Sequence, residues 1–275
     1  MQLELTTQHT LQAALHNRNL AGQAVCVHSS LRSFGRVEGG APSVVAAFLA
    51  EGCTLLVPTF SYTFAVAPPP ELQVARNGWD YGSFYGPRAD DGRIYTTASQ
   101  EIDDDMGAIP TAVVTMAGRV RGDHPLNSFS AVGPLAAQLA ETQQPLAVYA
   151  PLRALVELGG YVLLMGVALD KMTLLHYAEQ EAGRVPFRRW ANDSTGKPQM
   201  VQAGSCSDGF ERFAPILQPW QRAAMVGQSE WHLYPARETM LAATAAIRAN
   251  PHLTHCGRAD CERCRDAELG GPILA

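Results

Sequence analysis

An apolar run leads into a polar helix between residues 161 and 181, which read YVLLMGVALDKMTLLHYAEQE. The run Tyr161–Val167 has the length and the β-branched content of a buried strand. After a short polar turn, Thr173 is placed to cap a helix that continues to about Ala182 and ends at Gly183. A buried strand followed closely by a helix is typical of α/β proteins, so this order predicts that class.

His176 and Glu179 lie three positions apart on this helix, so their side chains are neighbours on its more polar side. The helix starts beyond the carboxyl end of the strand, where open α/β sheets bind their ligands. The pair therefore predicts a site that combines an imidazole and a carboxylate. The residues alone also fit a partly exposed histidine beside a surface glutamate.

Composition restricts the classes of function. Of the 275 residues, 47% are hydrophobic and 17% are charged, which indicates a globular protein. The net charge of -5 argues against nucleic acid as the main partner and suits a cationic substrate. No apolar run has the length of a membrane span, and the polar N-terminus lacks the features of a signal peptide. The six cysteines therefore indicate reduced thiols, and we expect a cytoplasmic protein.

A parallel β-α-β unit is predicted near the N-terminus. Ala24–His28 and Thr54–Pro58 have the composition of short buried strands, and Pro42 occupies the first position of a helix that continues to Ala50. The chain shows no internal repeat and no low-complexity linker. We therefore expect a single domain, residues 1–275, with a central mixed β-sheet flanked by helices.

Two loops are rich in hydrogen-bonding groups. Ser29–Gly40 holds three serines, three glycines and Arg32 directly before a helix, which suits a phosphate cradle but also an ordinary β-α turn. Its spacing matches neither a Walker A sequence nor a GxGxxG fingerprint. Arg119–Gly133 reads RVRGDHPLNSFSAVG and is either a second part of the site or a well-bonded turn.

The segment Phe60–Asp105 is aromatic, rich in Gly and Pro, and weakly periodic, so we expect a long excursion over the sheet. Loops of this length within compact domains are often lids or binding loops. The segment ends in the acidic run EIDDD, residues 101–105. This run is either charge at the start of a helix predicted over Met106–Ala117, or a rim that attracts polycations.

The C-terminal third is more polar. Val185–Trp190 and Gln199–Gln202 flank a turn and predict a small antiparallel element, followed by helices over Ser207–Leu217 and Pro235–Asn250. The tail contains Cys256, Cys261 and Cys264 near His252 and His255. Three thiols and a histidine can bind zinc, but a second well-spaced ligand pair is missing. We therefore expect reduced thiols that pack a C-terminal helix, and no metal.

Five stretches resemble the aminoglycoside 3-N-acetyltransferase family in order and spacing. They are VHSSLRSFGRVEGGAPSVVAAFL, TLLVPTFSYTF, DDMGAIPTAV, HPLNSFSAVGPLA and VLLMGVALDKMTLLHYAEQEAG. The resemblance covers about residues 24–190, with weaker similarity in CSDGFERF and the last helix. This family of antibiotic N-acetyltransferases is distinct from the GNAT fold, and the chain lacks the GNAT pyrophosphate loop.

The resemblance implies acetyl transfer from acetyl-CoA to the 3-amino group of the deoxystreptamine ring of aminoglycosides. It implies catalytic roles for Thr173, His176 and Glu179, although Met172 stands where members often have Asn. Expected CoA contacts are His28, Ser29, Ser30, Leu31, Arg32, Ser33, Phe34 and Gly35, beside His124, Asn127, Ser128 and Phe129. Expected aminoglycoside contacts are Tyr62, Asp103, Asp104, Asp105 and Glu179. The insert before the DDMG motif matches the family poorly.

The chemistry of this transfer assigns a role to each residue. An aminoglycoside amine is largely protonated at neutral pH, so a general base is required, and histidine suits that task. Glu179 would orient the imidazole, and Thr173 with loop amides would stabilise the oxyanion. Cys26 lies in an apolar strand, which disfavours a covalent acyl-enzyme. The alternatives are a same-fold CoA-dependent N-acyltransferase for another amine, a non-catalytic CoA or nucleotide-binding module, and a zinc-dependent hydrolase.

Overall fold

The computed structural model describes residues 5–81 and 91–274, and this part of the chain forms eleven strands and nine α-helices. The strands are β1 (Leu5–Thr6), β2 (Ala24–Ser29), β3 (Arg36–Val37), β4 (Thr54–Pro58), β5 (Val120–Arg121), β6 (Phe129–Val132), β7 (Tyr161–Met165), β8 (Phe187–Asn192), β9 (Pro198–Ala203), β10 (Arg222–Val226) and β11 (Ser229–Pro235). The helices are α1 (Gln8–His16), α2 (Gly40–Ala50), α3 (Ala108–Val114), α4 (Ala136–Ala140), α5 (Ala150–Glu157), α6 (Leu174–Glu181), α7 (Ala214–Leu217), α8 (Ala236–Ala249) and α9 (Glu262–Glu268).

Seven strands form the central sheet in the order β10-β11-β7-β2-β4-β6-β5. The inner strands β7, β2 and β4 are parallel, whereas the outer pairs are antiparallel. This mixed sheet confirms the predicted fold class and the predicted β-α-β unit. Ser29 is in register with Met165, so β2 and the strand before the catalytic helix candidate end at the same edge of the sheet.

A hydrophobic layer covers each face of the sheet. Side chains alternate along β2, so that Cys26 packs towards α4, α5, α6 and α8, while Val25 and Val27 pack towards α1, α2 and α3. Burial of a large aliphatic or aromatic side chain contributes roughly 1.5–3 kcal/mol, so these two layers hold the sheet edge in place. Within the described residues, no helix has the length and apolar character needed to cross a membrane.

The C-terminal third contains both a confirmed element and a missed one. Strands β8 and β9 pair antiparallel, with Phe187 opposite Ala203, as the sequence predicted. The hairpin of β10 and β11 was not predicted, because β10 is an edge strand that is mostly exposed and its residues show no buried face. The turn between them contains Gly227 with φ of 58°.

Two predicted helices are shorter in the structure. The helix expected over Met106–Ala117 is α3, because Gly107 adopts φ of 86° and separates it from a 3-10 turn over Asp104–Met106. The helix expected over Ser207–Leu217 is a 3-10 turn followed by the single turn α7. Of the predicted excursion over Phe60–Asp105, residues 82–90 lie outside the described residues, including Phe84, Tyr85 and Pro87.

Candidate active site

A cavity of about 990 Å³ opens at the carboxyl ends of β2 and β7. Its walls come from the loop after β2, from the acidic turn before α3, and from the start of α6. Thr173 and His176 are the residues of the α6 region that line it, together with Asp170 and Lys171 of the preceding turn. The cavity thus lies at the edge of the sheet where the sequence predicted a site.

His176 and Glu179 form a hydrogen-bonded pair on α6. His176 Nδ1 lies 2.8 Å from Glu179 Oε2, and the two side chains are 12% and 5% exposed. An ionised carboxylate accepts only, so Nδ1 carries the proton and Nε2 is left with its lone pair. No described residue hydrogen-bonds Nε2, and the ring borders the cavity. The burial of Glu179 excludes the alternative of a surface glutamate.

Both carboxylate oxygens of Glu179 are occupied by protein donors. Arg184 Nη1 donates to Oε1 at 2.5 Å, and Ser205 Oγ donates to Oε2 at 2.5 Å. Arg184 is held in turn by Thr254 Oγ1 at 2.7 Å and by the Pro251 carbonyl at 2.5 Å. Burial alone raises the pKa of Glu179, but the hydrogen bond and charge of His176, the charge of Arg184 and the Ser205 hydroxyl outweigh it and lower that pKa.

Aromatic rings fix the plane of the His176 imidazole. Tyr149 stacks on it, with 6.3 Å between ring centroids and 13° between planes, and Phe210 packs at 4.7 Å. Gly204 lies beside the edge of the ring, where an added Cβ would come within 3.2 Å of His176 Cδ2. The imidazole is therefore held on several sides by its neighbours while the residue borders the cavity.

Comparisons with known proteins identify the family of this site. The family model described as aminoglycoside 3-N-acetyltransferase matches residues 26–248. The chain belongs to this family. It is 34% identical over 197 residues to aminoglycoside N(3)-acetyltransferase III of Salmonella sp, an alignment that covers 67% of this chain and 63% of that protein. The chain thus spans somewhat less than two thirds of the length of that relative.

Solved structures of aminoglycoside acetyltransferases have the same fold. The apoenzyme of AAC(3)-IVa superposes with a TM-score of 0.76 at 25% identity, covering 98% of this chain and 99% of that one. A histidine-to-alanine mutant of the same protein has been solved in complex with a gentamicin. AAC-IIIb, solved as a binary complex with CoASH, has a TM-score of 0.70 at 23% identity, with 90% of this chain and 97% of that chain covered.

The loop predicted to bind CoA in this acetyltransferase family member only partly faces the cavity. Its cavity-lining members are His28, Ser29, Ser30, Leu31, Arg32 and Gly35. Ser33 instead bonds to the Ser30 carbonyl and to Ser229 Oγ, both at 2.7 Å. Phe34 is fully buried and packs edge-on against Trp231 at 6.1 Å. Ser33 and Phe34 therefore pack against the rest of the protein and support the loop from its buried side. The sequence pattern alone does not distinguish them from the loop residues that line the cavity.

The segment His124–Phe129 lies behind the cavity and does not line it. His124 Nδ1 accepts the backbone N–H of Asn127 at 2.9 Å, and burial lowers the pKa of His124 to about 4. Ser128 Oγ donates to the Thr59 carbonyl at 2.9 Å, and Phe129 packs edge-on against the cavity residue Phe60. These residues form the well-bonded turn that the sequence left open as an alternative, and the assignment of all four to CoA contacts stays a prediction.

The predicted substrate contacts divide into two groups. Asp104 and Asp105 are exposed and line the cavity. Asp103 instead accepts the backbone N–H of Tyr62, and the Tyr62 hydroxyl donates to Asn127 Oδ1 at 3.3 Å. Glu179 lies behind His176 with both oxygens engaged by protein donors, and its direct contact with a substrate amine stays a prediction.

Thr173 occupies the predicted position directly before α6, but its side chain does not cap the helix. Its backbone is already helical, with φ of -60° and ψ of -22°, whereas the extended residue Met172 separates it from the 3-10 turn over Leu169–Lys171. The hydroxyl is not needed by the helix and lies in the cavity wall one turn before His176. The sequence analysis did not identify four residues that contact the His176–Glu179 dyad, since each of them does so only through tertiary packing. They are Arg184, Ser205, Tyr149 and Phe210.

Proposed function

We propose that this chain transfers the acetyl group of acetyl-CoA to the 3-amino group of the deoxystreptamine ring of aminoglycosides. The observation that carries the proposal is the His176 imidazole, which is anchored through Nδ1 and presents Nε2 to a cavity large enough for two substrates. Family membership supports the reaction class, since its curated members are named as aminoglycoside N(3)-acetyltransferases. The expected cellular outcome of this modification is antibiotic resistance.

His176 Nε2 acts as the general base. It takes a proton from the attacking amine as the new C–N bond forms at the thioester carbonyl. The tetrahedral intermediate then collapses, the C–S bond breaks, and the departing CoA thiolate takes up the proton from the His176 imidazolium, which restores the base. The transfer is direct, because Cys26 is fully buried and burial raises the pKa of its thiol, so no described thiol at the cavity serves as an acyl carrier.

Glu179 stabilises the imidazolium that forms during the transfer. Its negative charge lies 2.8 Å from the ring, and Arg184 and Ser205 keep it ionised and oriented. Thr173 offers a hydroxyl in the same wall of the cavity, where it can donate to the developing oxyanion. Preorganised donors of this kind need no reorganisation during the reaction.

The cavity walls carry opposite charges that suit the two substrates. Arg32 and the small side chains of Ser29 and Ser30 offer donors to the phosphates and amides of CoA. Gly35 contributes wall without side-chain bulk, and its φ of 74° favours glycine. Asp104 and Asp105, on the turn before α3, offer carboxylates to a polycationic sugar.

A thiol-release assay tests the proposal. Purified protein is mixed with acetyl-CoA and a panel of aminoglycosides, with a matched panel of simple amines and polyamines, and the acetylated position is identified by NMR. We expect turnover with deoxystreptamine aminoglycosides and modification at the 3-amine. Turnover with other amines alone would instead establish the N-acyltransferase alternative, and absence of thiol release from every amine would contradict both enzymatic interpretations.

A further inference from the structure

Four cysteines from distant parts of the chain converge beside the dyad. Cys206 follows β9, Cys256 lies in the loop after α8, and Cys261 and Cys264 flank the start of α9. Their sulfur atoms all lie within 4.8 Å of one another, and none is in a disulfide. The sequence showed three of them, but the fourth is 50 residues upstream of Cys256 and enters only through the fold.

Packing alone does not account for this cluster. Cys206, Cys261 and Cys264 are buried, and the apolar cluster to which they belong contains no side chain other than cysteine. Thiols that merely filled a core would be surrounded by aliphatic or aromatic groups. The arrangement therefore differs from the expectation of reduced thiols that pack a helix.

The spacing matches tetrahedral metal coordination. Zn–S bonds of about 2.3 Å in a tetrahedral site place the sulfurs about 3.8 Å apart, so a small contraction brings the four thiols into position. The surroundings also suit thiolates, because the backbone N–H of Cys256 donates to Cys264 Sγ at 3.3 Å. Arg258, which pairs with Asp208 at 3.5 Å, lines the same recess as Cys206 and Cys261 and so places a positive charge near the sulfurs.

We propose that Cys206, Cys256, Cys261 and Cys264 bind one Zn²⁺ ion in a closed, structural site. Four thiolate ligands leave no open position for water or substrate, so the ion is not part of the chemistry. Zinc takes the place of the thiol protons, which pass to solvent, and no group is oxidised or reduced. This proposal replaces the sequence-based expectation that the protein holds no metal.

The ion would fasten the C-terminal tail to the wall of the active site. Ser205, which orients Glu179, directly precedes Cys206, and Thr254, which holds Arg184, lies two residues before Cys256. Gly209 approaches Thr254 so closely that an added Cβ would lie 2.3 Å from its carbonyl oxygen. Both supports of the Glu179 carboxylate therefore depend on the position of the cysteine cluster.

Metal content measured on purified protein tests the site. The protein is prepared without a polyhistidine tag from zinc-supplemented medium, and bound metals are quantified by mass spectrometry. We expect about one zinc per chain, and its loss in Cys206→Ser and Cys261→Ser. Cys53→Ser is the matched control, since Cys53 is equally buried but bonds to the Leu20 carbonyl on the other side of the sheet.

Cobalt substitution identifies the ligands even if a cysteine variant fails to fold. Wild-type protein refolded with Co²⁺ should show the charge-transfer and d–d absorption of a tetrahedral tetrathiolate centre. A chelator should lower the melting temperature of the wild type and leave that of folded Cys206→Ser unchanged. Melting is independent of acetyl transfer, so the site and the proposed function can fail separately.

Three outcomes would overturn the proposal. The first is wild-type protein without zinc and without a tetrathiolate cobalt spectrum. The second is full zinc retention by Cys206→Ser. The third is loss of zinc in His252→Gln, because His252, His255 and Glu268 form the other described cluster of metal-ligand type, although it is more exposed and Glu268 already pairs with His252 at 2.8 Å.

Discussion

The helix that carries His176 and the turn that carries His124 show two opposite uses of one side chain. Both histidines are anchored through Nδ1. At His176 the partner is a carboxylate, so Nδ1 donates and Nε2 is free to accept a proton beside the cavity. At His124 the partner is a backbone N–H, so Nδ1 accepts, and the ring is fully buried. Under the proposed mechanism, the comparison teaches that two features distinguish a general base from a structural histidine. They are the hydrogen-bond partner of Nδ1 and the access of Nε2 to the cavity.

Substitution of His176 should have the largest effect on kcat of all the changes considered. Substitution of His124 should have almost none. We expect His176→Ala to lower kcat by about 100-fold or more, the usual contribution of a positioned base, with little change in the KM for acetyl-CoA. His124→Asn keeps an acceptor for the Asn127 N–H and should retain near wild-type kcat. Steady-state kinetics on both folded variants test this prediction. A large loss of kcat in His124→Asn, with near wild-type kcat in His176→Ala, would make His124 the base.

Loss of the Glu179 charge should lower kcat, but by less than loss of the His176 ring does. Glu179→Gln keeps one acceptor oxygen but replaces the other with an NH2 donor, so it can no longer accept from both His176 and Arg184. It also no longer stabilises the imidazolium, so we expect kcat to fall by about 10- to 100-fold. Glu181→Gln on the same helix is the control, because that side chain is exposed. If both variants keep wild-type kcat, His176 does not need a charged partner.

Acid should destabilise the protein through its buried histidines. Burial lowers the pKa of His28 and of His124 to about 4, whereas an unfolded histidine titrates near 6.5. The unfolded state therefore binds more protons between these values, and stability falls as pH drops from about 6.5 towards 4. Each ring contributes at most about 2 kcal/mol of this loss by pH 5. Denaturant unfolding at several pH values should show a flatter profile for His124→Asn, and an unchanged slope would contradict its burial as a neutral ring.

Neutralisation of the cavity rim should have the smallest effect. Asp104→Asn with Asp105→Asn should raise the KM for the aminoglycoside several-fold, weaken its dependence on salt, and leave the KM for acetyl-CoA unchanged. Surface ion pairs typically contribute only about 0.2–1 kcal/mol, which sets this modest scale. Glu141→Gln, an exposed carboxylate beyond α4, serves as the control. Equal changes in the KM for the aminoglycoside in the double variant and in Glu141→Gln would show that Asp104 and Asp105 act only as general surface charge.

The sequence predicted what depends on local pattern. Strand β4 was predicted with its observed bounds, the hairpin of β8 and β9 was recognised from its turn, and the i, i+3 spacing of His176 and Glu179 was sufficient to pair them. What it missed depends on long-range contacts. Ser205 meets Glu179 from 26 positions away, and Cys206 is separated along the chain from its three partners by β10, β11 and α8.

The degree of burial, which the sequence pattern does not reveal, was the other source of difference between prediction and structure. Strand β10 shows little buried surface, so it lacks the alternation by which strands are recognised. His124 has the same residue type as the proposed base, and its burial and its backbone partner, which the sequence pattern does not reveal, favour a structural role. A loop rich in polar groups thus predicts either a site or a turn, and tertiary packing decides between the two.

Asp104 and Asp105 occupy an exposed 3-10 turn, and their carboxylates make no hydrogen bond to the described residues. Substitutions there remove no internal contact, so they cost the fold little while altering the charge at the cavity. His176, Glu179 and their supports leave no such freedom. Under the proposed function, the range of aminoglycosides recognised can therefore change by mutation at this turn while His176, Glu179 and their supports stay constant.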